Sequence, residues 1–149
     1  MERLTKTAGL YLESEILWSD AFWELTAAEI HILLIFKMKC RYAGQKEAKK
    51  MKVPLGTIKN NGTIVFSEIE AIKVGISKAT FQRAITHFVE LGFIDITREG
   101  GLYRLSLYAL SERWKLYGTN EFKIQERKKR DCPARGFIKR KKQNPRHQK

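Results

Sequence analysis

The stretch GISKATFQRAITHFVELGFIDI, residues 75–96, decides the fold. Ser77 stands where a helix N-cap belongs, and apolar residues then return at helical spacing until Gly92. At about 100° per residue, Phe81, Ala84, Ile85, Phe88 and Leu91 form one apolar stripe. The opposite side carries Ala79, Gln82, Arg83, Thr86, His87 and Glu90. Past Gly92 the period changes to two, with Ile94 and Ile96 alternating with Asp95 and Thr97, so a strand follows the helix at once.

Upstream, Ser67 and Glu70 have capping-box spacing and open a short helix, SEIEAIKVG, that stops at Gly75. Its Ile69 and Ile72 are expected to face inward, with Val74 packing at the turn. Two helices joined by a glycine-containing turn of this length make a helix-turn-helix. Downstream, Gly100 and Gly101 supply a hairpin turn, after which Leu105 and Leu107 alternate again. TIVF, residues 63–66, offers the hairpin a third strand, which matters because a lone hairpin is barely stable. The pattern predicts a mainly α fold with a small β-wing, a winged helix-turn-helix.

The same reading extends to both ends. Thr26 and Glu29 make a second capping box, so a helix is expected from Thr26 to residue 41 or 42. Ile30, Leu33, Leu34 and Met38 would line one side of it, with Ile32, Ile35 and Phe36 filling much of the rest. A helix apolar over so much of its circumference belongs at the centre of a domain, or has one face on the core and one on a partner subunit. DAFWE, residues 20–24, is expected to form a turn whose Phe22 and Trp23 close over it, and residues 9–12 an arm or edge strand. Residues 43–62 lack a period and read as a long loop ending in the Asn61-Gly62 turn. YALSERWKLYG, residues 108–118, reads as a short helix or irregular segment that packs Trp114 and Tyr117 back on the domain. The domain is expected to span residues 1–118, followed by a basic tail over 119–149 that is disordered without a partner.

Charge narrows the function. Of a net +13, the tail carries +9, from 12 Lys or Arg against three acids. Neutralising phosphates releases condensed counterions, so such a tail suits a polyanion. No apolar run is long enough for a bilayer, and the first residues show no signal-peptide pattern. Cys40 and Cys132 lie far apart, which predicts neither a disulfide framework nor a zinc site and makes a reducing cytoplasm the default. His31, His87 and His147 have no metal-ligand spacing, and no phosphate-binding loop is present, so no catalytic residue, metal or cofactor is expected.

The outer side of the 77–91 helix carries the chemistry. Ser77, Lys78 and Thr80 sit where a helix N-terminus meets a phosphate. Ala79 lets the backbone come close, while Gln82, Arg83 and Thr86 suit base edges or phosphates in a major groove. Arg98 and Arg104 in the hairpin are expected to meet the backbone, though Glu99 at its tip opposes deep insertion into a minor groove. Residues 67–92 hold three bases and three acids, so attraction must come from those two arginines, from Lys46, Lys49, Lys50, Lys52 and Lys59, and from the tail. A neutral unit of this kind also fits a module that binds proteins.

NNGTIVFSEIEAIKVGISKATFQRAITHFVELGFIDI, residues 60–96, resembles the helix-turn-helix segment of bacterial winged-helix proteins from plasmid, phage and mobile-element replication and regulation modules. The matching residues are Asn60, Asn61 and Gly62, the GISKAT of residues 75–80, and Gly92, Phe93 and Ile94. WSDAFWELTAAEIHILLIF, residues 18–36, looks like the entry into the long central helix of that group. The resemblance implies double-stranded DNA as partner and recognition-helix positions for Lys78, Ala79, Thr80, Gln82 and Arg83. It also implies replication initiation or transcription regulation, with replication or transcription proteins as further partners. A palindromic target would call for a homodimer, for which the surplus apolar surface of the central helix is the one hint.

Overall fold

The computed structural model of the chain describes residues 10–101 and 103–128. Helices α1 (Ser14–Leu17), α2 (Asp20–Trp23), α3 (Ala27–Lys39), α4 (Gln45–Met51), α5 (Glu68–Lys73) and α6 (Lys78–Leu91) precede strands β1 (Ile94–Arg98) and β2 (Leu107–Leu110). A 3-10 turn, Arg113–Leu116, follows. The result is a small, mainly helical domain with a short two-stranded antiparallel sheet that does not close into a barrel.

Helix α3 starts where its capping box sits. The Thr26 hydroxyl accepts from the Glu29 N–H at 3.3 Å, and the Glu29 carboxylate accepts from the Thr26 N–H at 2.8 Å. Ile32, Leu33 and Phe36 are its buried stripe, with Ile30 and Ile35 packed at the edges. The Phe36 ring meets Phe66, Phe88 and Tyr108 edge-on at 5.1, 6.4 and 5.2 Å, so one side chain ties α3 to α6, β2 and the segment before α5. Met38, expected on that stripe, is exposed instead, and Leu34 is only half-buried. The packed face is rotated toward the Phe36 side because the aromatic partners lie there. Lys37 is buried with its Nζ 2.6 Å from Glu13, which supplies the counter-charge its burial requires.

The N-terminal part corrects two expectations. Leu10, Tyr11 and Leu12 form no strand, although Tyr11 packs edge-on against Tyr42; Gly9 lies outside the described residues. In α2, Phe22 packs partly on the core while Trp23 points outward, 72% exposed. Ala21 and, from α1, Ile16 are the buried residues here instead.

Residues 45–51, expected as loop, are helix α4. Glu47 accepts from the Gly44 N–H at 3.2 Å and pairs with Lys59 at 2.9 Å, so this helix is stapled across its own base. Ala48 is its one buried residue.

Helices α5 and α6 meet through the turn of residues 74–77. The Ile76 N–H reaches back to the Ala71 carbonyl at 2.9 Å, and Ile76 is buried. Ile69 and Ile72 do not face inward as expected. They are 67% and 56% exposed, and Ala71 makes the contact because a small side chain lets α5 lie close on α6. Helix α6 buries Phe81, Ala84, Ile85, Phe88 and Leu91, the stripe read from its period, and Val89 beside it. It ends at Gly92, whose φ of +85° lets the N–H groups of Gly92 and Phe93 both donate to the Phe88 carbonyl.

Strands β1 and β2 pair with Ile94 opposite Leu110 and Ile96 opposite Tyr108, and an irregularity at Thr97 shifts the register before Arg98 meets Leu107. Tyr108 is therefore the buried residue, while Leu105 is exposed and Leu107 half-buried. Ile64 exchanges both backbone bonds with Tyr108, at 3.1 and 2.9 Å, so TIVF contributes a single bridge rather than a strand. Asn60 and Asn61 complete the sheet side. Asn60 bonds the Lys39 carbonyl and the Arg41 N–H; Asn61 bonds both backbone groups of Leu110. Trp114 stacks on Phe93 at 6.0 Å. Arg113 acts as a rivet, its guanidinium donating to the Val89 carbonyl at 3.1 Å and to Asp95 at 2.5 and 3.1 Å.

The two capping-box glutamates set an acid limit. Burial pushes both carboxyls up, but the Thr26 N–H and His87 at Glu29, and the Ser67 N–H and Lys39 at Glu70, outweigh it. Both therefore titrate below the ordinary 4.5. A depressed carboxyl stabilises the fold above its unfolded value and loses that stabilisation as pH falls through the folded value. The urea midpoint is expected to hold down to about pH 5 and fall below it, and to fall less steeply in a Glu29→Gln, Glu70→Gln double variant. Identical acid limbs in variant and parent would show that other carboxyls dominate.

Candidate nucleic-acid interface

The outer face of α6 carries most of the expected site. At its start, the Ser77 hydroxyl accepts from the Thr80 N–H at 3.1 Å and donates to the Thr80 hydroxyl at 2.9 Å, so the Ser77 proton is committed within the helix. Lys78 extends into solvent, its Nζ 3.1 Å from Glu68. Ala79 and Arg83 lie one helical turn apart and exposed, and Arg83 makes no hydrogen bond or ion pair with any described residue.

Gln82 and Thr86 differ from that pair. Gln82 is half-buried, its Nε2 donating to the Glu68 carboxylate and its Oε1 accepting from Arg127 Nη1 at 2.9 Å. Thr86 donates to the Gln82 carbonyl at 3.1 Å and lies 3.5 Å from Arg127 Nη1. His87 is bound as well, its Nδ1 2.9 Å from Glu29 across the α3–α6 contact. Gln82, Arg83, Thr86, His87 and Glu90 line an open depression of about 300 Å³.

The hairpin residues fall into two groups. Arg98 Nη2 donates to the Leu105 carbonyl at 3.3 Å, and Arg104 is exposed in the turn that Gly101 closes. Neither makes a hydrogen bond or ion pair with a side chain of α6 among the described residues. Glu99 is the hairpin residue that reaches toward it, since Arg127 Nε donates to Glu99 at 3.0 Å. A polar chain thus runs from Lys78 through Glu68, Gln82 and Arg127 to Glu99. Sequence reasoning missed Glu68 and Arg127 as members of this surface and took Glu99 as the hairpin tip alone. Arg127 is 28 residues from Glu99 and 45 from Gln82, beyond the range of any local pattern.

Among the remaining bases, α4 exposes Lys46, Lys49 and Lys50, with Lys52 at its end, whereas Lys59 is held by Glu47. Residues 129–149 of the expected tail lie outside the described residues. No three His, Cys, Asp or Glu side chains among the described residues converge on a metal position. No helix among them is long and apolar enough to cross a membrane. Electrostatically the surface is mixed: Arg83 and Lys78 at the front of α6, carboxylates of Glu68 and Glu99 on either side of Gln82.

The chain matches no protein-family model, no curated protein sequence and no solved structure at a significant level, so this surface is read from its own residues.

Proposed function

We propose that this chain is a winged helix-turn-helix protein that binds double-stranded DNA sequence-specifically. In this reading α6 enters the major groove, Arg98 and Arg104 of the β1–β2 hairpin touch the backbone, and the basic residues from 119 onward add affinity for any sequence. Ser77, Lys78 and Thr80 would meet phosphate, and Ala79, Gln82, Arg83 and Thr86 the base edges. The observation that carries the reading is the exposed pair Ala79 and Arg83 on a helix whose other side is core. A small residue beside an unengaged arginine gives close approach and a forked donor together. The setting is cytoplasmic, in replication initiation or transcription regulation, with proteins of those processes, or a second copy on a palindromic site, as further partners.

Binding to a random-sequence duplex is expected to weaken steeply with salt. About six neutralised phosphates would give roughly a 10³-fold loss between 50 and 200 mM. Arg83→Ala is expected to relax discrimination among sequences selected from a random pool by about 1–3 kcal/mol. Absence of duplex binding at 50 mM salt would remove the proposal, and equal preference profiles would remove Arg83 as a reader.

One observation favours a second reading, a protein-interaction module with non-specific nucleic-acid affinity. Ile69, Ile72 and Val74 leave an apolar strip on and beside α5, 67%, 56% and 48% exposed. Under that reading Ile69→Ser would disturb partner binding while duplex affinity followed the basic residues alone.

A further inference from the structure

Arg127 stands apart from the basic residues around it. Its side chain is 8% exposed, although it belongs to the stretch expected as a basic tail. The counter-charge comes from Glu99, at 3.0 Å from Nε. The polar acceptors come from α6: Gln82 Oε1 at 2.9 Å, the Gln82 carbonyl at 3.4 Å and the Thr86 hydroxyl at 3.5 Å. A guanidinium this covered is stable only with such a set, so the contact is a seated one. The segment leading to it is anchored at its other end, where the Phe122 ring packs edge-on against Tyr117 at 5.3 Å.

We infer that residues 122–127 are a strap that seats Arg127 on the Gln82 and Thr86 part of α6 in the free protein and yields those two side chains to duplex DNA. The inference rests on the DNA-binding reading. Arg127 occupies the acceptors of Gln82 and Thr86 that a base edge would use. The seated strap and base contacts by Gln82 and Thr86 therefore exclude each other. A ligand that binds only the open form has its apparent affinity reduced by the fraction of molecules that are open. Duplex DNA lowers that barrier by offering phosphate oxygens to the released guanidinium. The strap thus sets a threshold that weak sites fail to pass.

Arg127→Lys keeps the charge and loses the fork, so it separates release of the strap from loss of a cation. The full-length variant is expected to bind random-sequence duplex about fivefold tighter or better, since more molecules are open. Its salt slope should match the parent's because the charge count is unchanged. In the parent, the Arg127 Nε–H nuclear magnetic resonance signal should be protected from exchange without DNA and move to a new position in the saturated complex, where phosphate replaces Glu99. Equal or weaker binding by the variant, with the parent binding normally, would overturn the strap. So would an Nε–H signal unchanged in the complex. If neither chain binds duplex at 50 mM salt, the DNA reading itself fails and the strap with it.

Discussion

Gly92→Ala is expected to lower stability by about 3 kcal/mol, from roughly 1–2 for a left-handed non-glycine residue and roughly 1–3 for overpacking. The φ of +85° already disfavours any side chain. A Cβ added there would also lie 2.7 Å from the Arg113 Cβ and 2.8 Å from the Trp114 nitrogen, and backbone cannot step aside as a flexible side chain does. The Trp114 N–H donates to the Gly92 carbonyl at 3.2 Å, so pushing the two apart also strains that bond. Gly75→Ala is the control. Its φ of +87° is nearly the same, yet nothing lies within 4 Å of the added atom, so about 1 kcal/mol is expected. Urea unfolding of the two variants measures the difference, with the slope unchanged if both remain two-state. Equal losses at both sites would mean that the collision is relieved by a shift of the 3-10 turn.

The second large effect is expected at Phe36. Phe36→Ala should cost about 3–5 kcal/mol, the range for emptying a closed aromatic site. Its ring has zero exposure and three aromatic neighbours from different parts of the chain, so no single element can move in to fill the void. Met38→Ala, two residues on and 41% exposed, should stay within about 0.5 kcal/mol. Thermal or urea unfolding of both decides which side of α3 faces the core. A larger loss at Met38 than at Phe36 would contradict the packing described above.

That comparison also shows what the chain discloses on its own. Signals confined to a few neighbouring residues were legible. Both predicted capping boxes form, the α6 stripe is buried as its period required, and Gly92 ends that helix. The hairpin was legible too, with Ile94 and Ile96 on its inward side, but not the inward residue of β2, because alternation leaves parity open and the irregularity at Thr97 is decided by pairing across strands. Helix α4 escaped notice because one buried alanine gives no period, and its staple from Lys59 comes from beyond its end. Ile69 and Ile72 misled for the opposite reason. Their spacing suits a core face, yet α5 is short enough to rest on Ala71 alone. On the candidate site, the outward positions of Ala79 and Arg83 could be read from the helical wheel. The engagement of Gln82 by Glu68 and Arg127 is a tertiary fact with no local signature.

The Arg113 rivet has a consequence for any partner that touches α6 and the hairpin together. Since one guanidinium holds the Val89 carbonyl and the Asp95 carboxylate, the end of the helix and the start of the strand behave as a single stiff jaw. Their spacing is set before an encounter, so little ordering entropy is surrendered in bringing them into register. Loosening that joint would slacken the grip while leaving every contacting side chain in place.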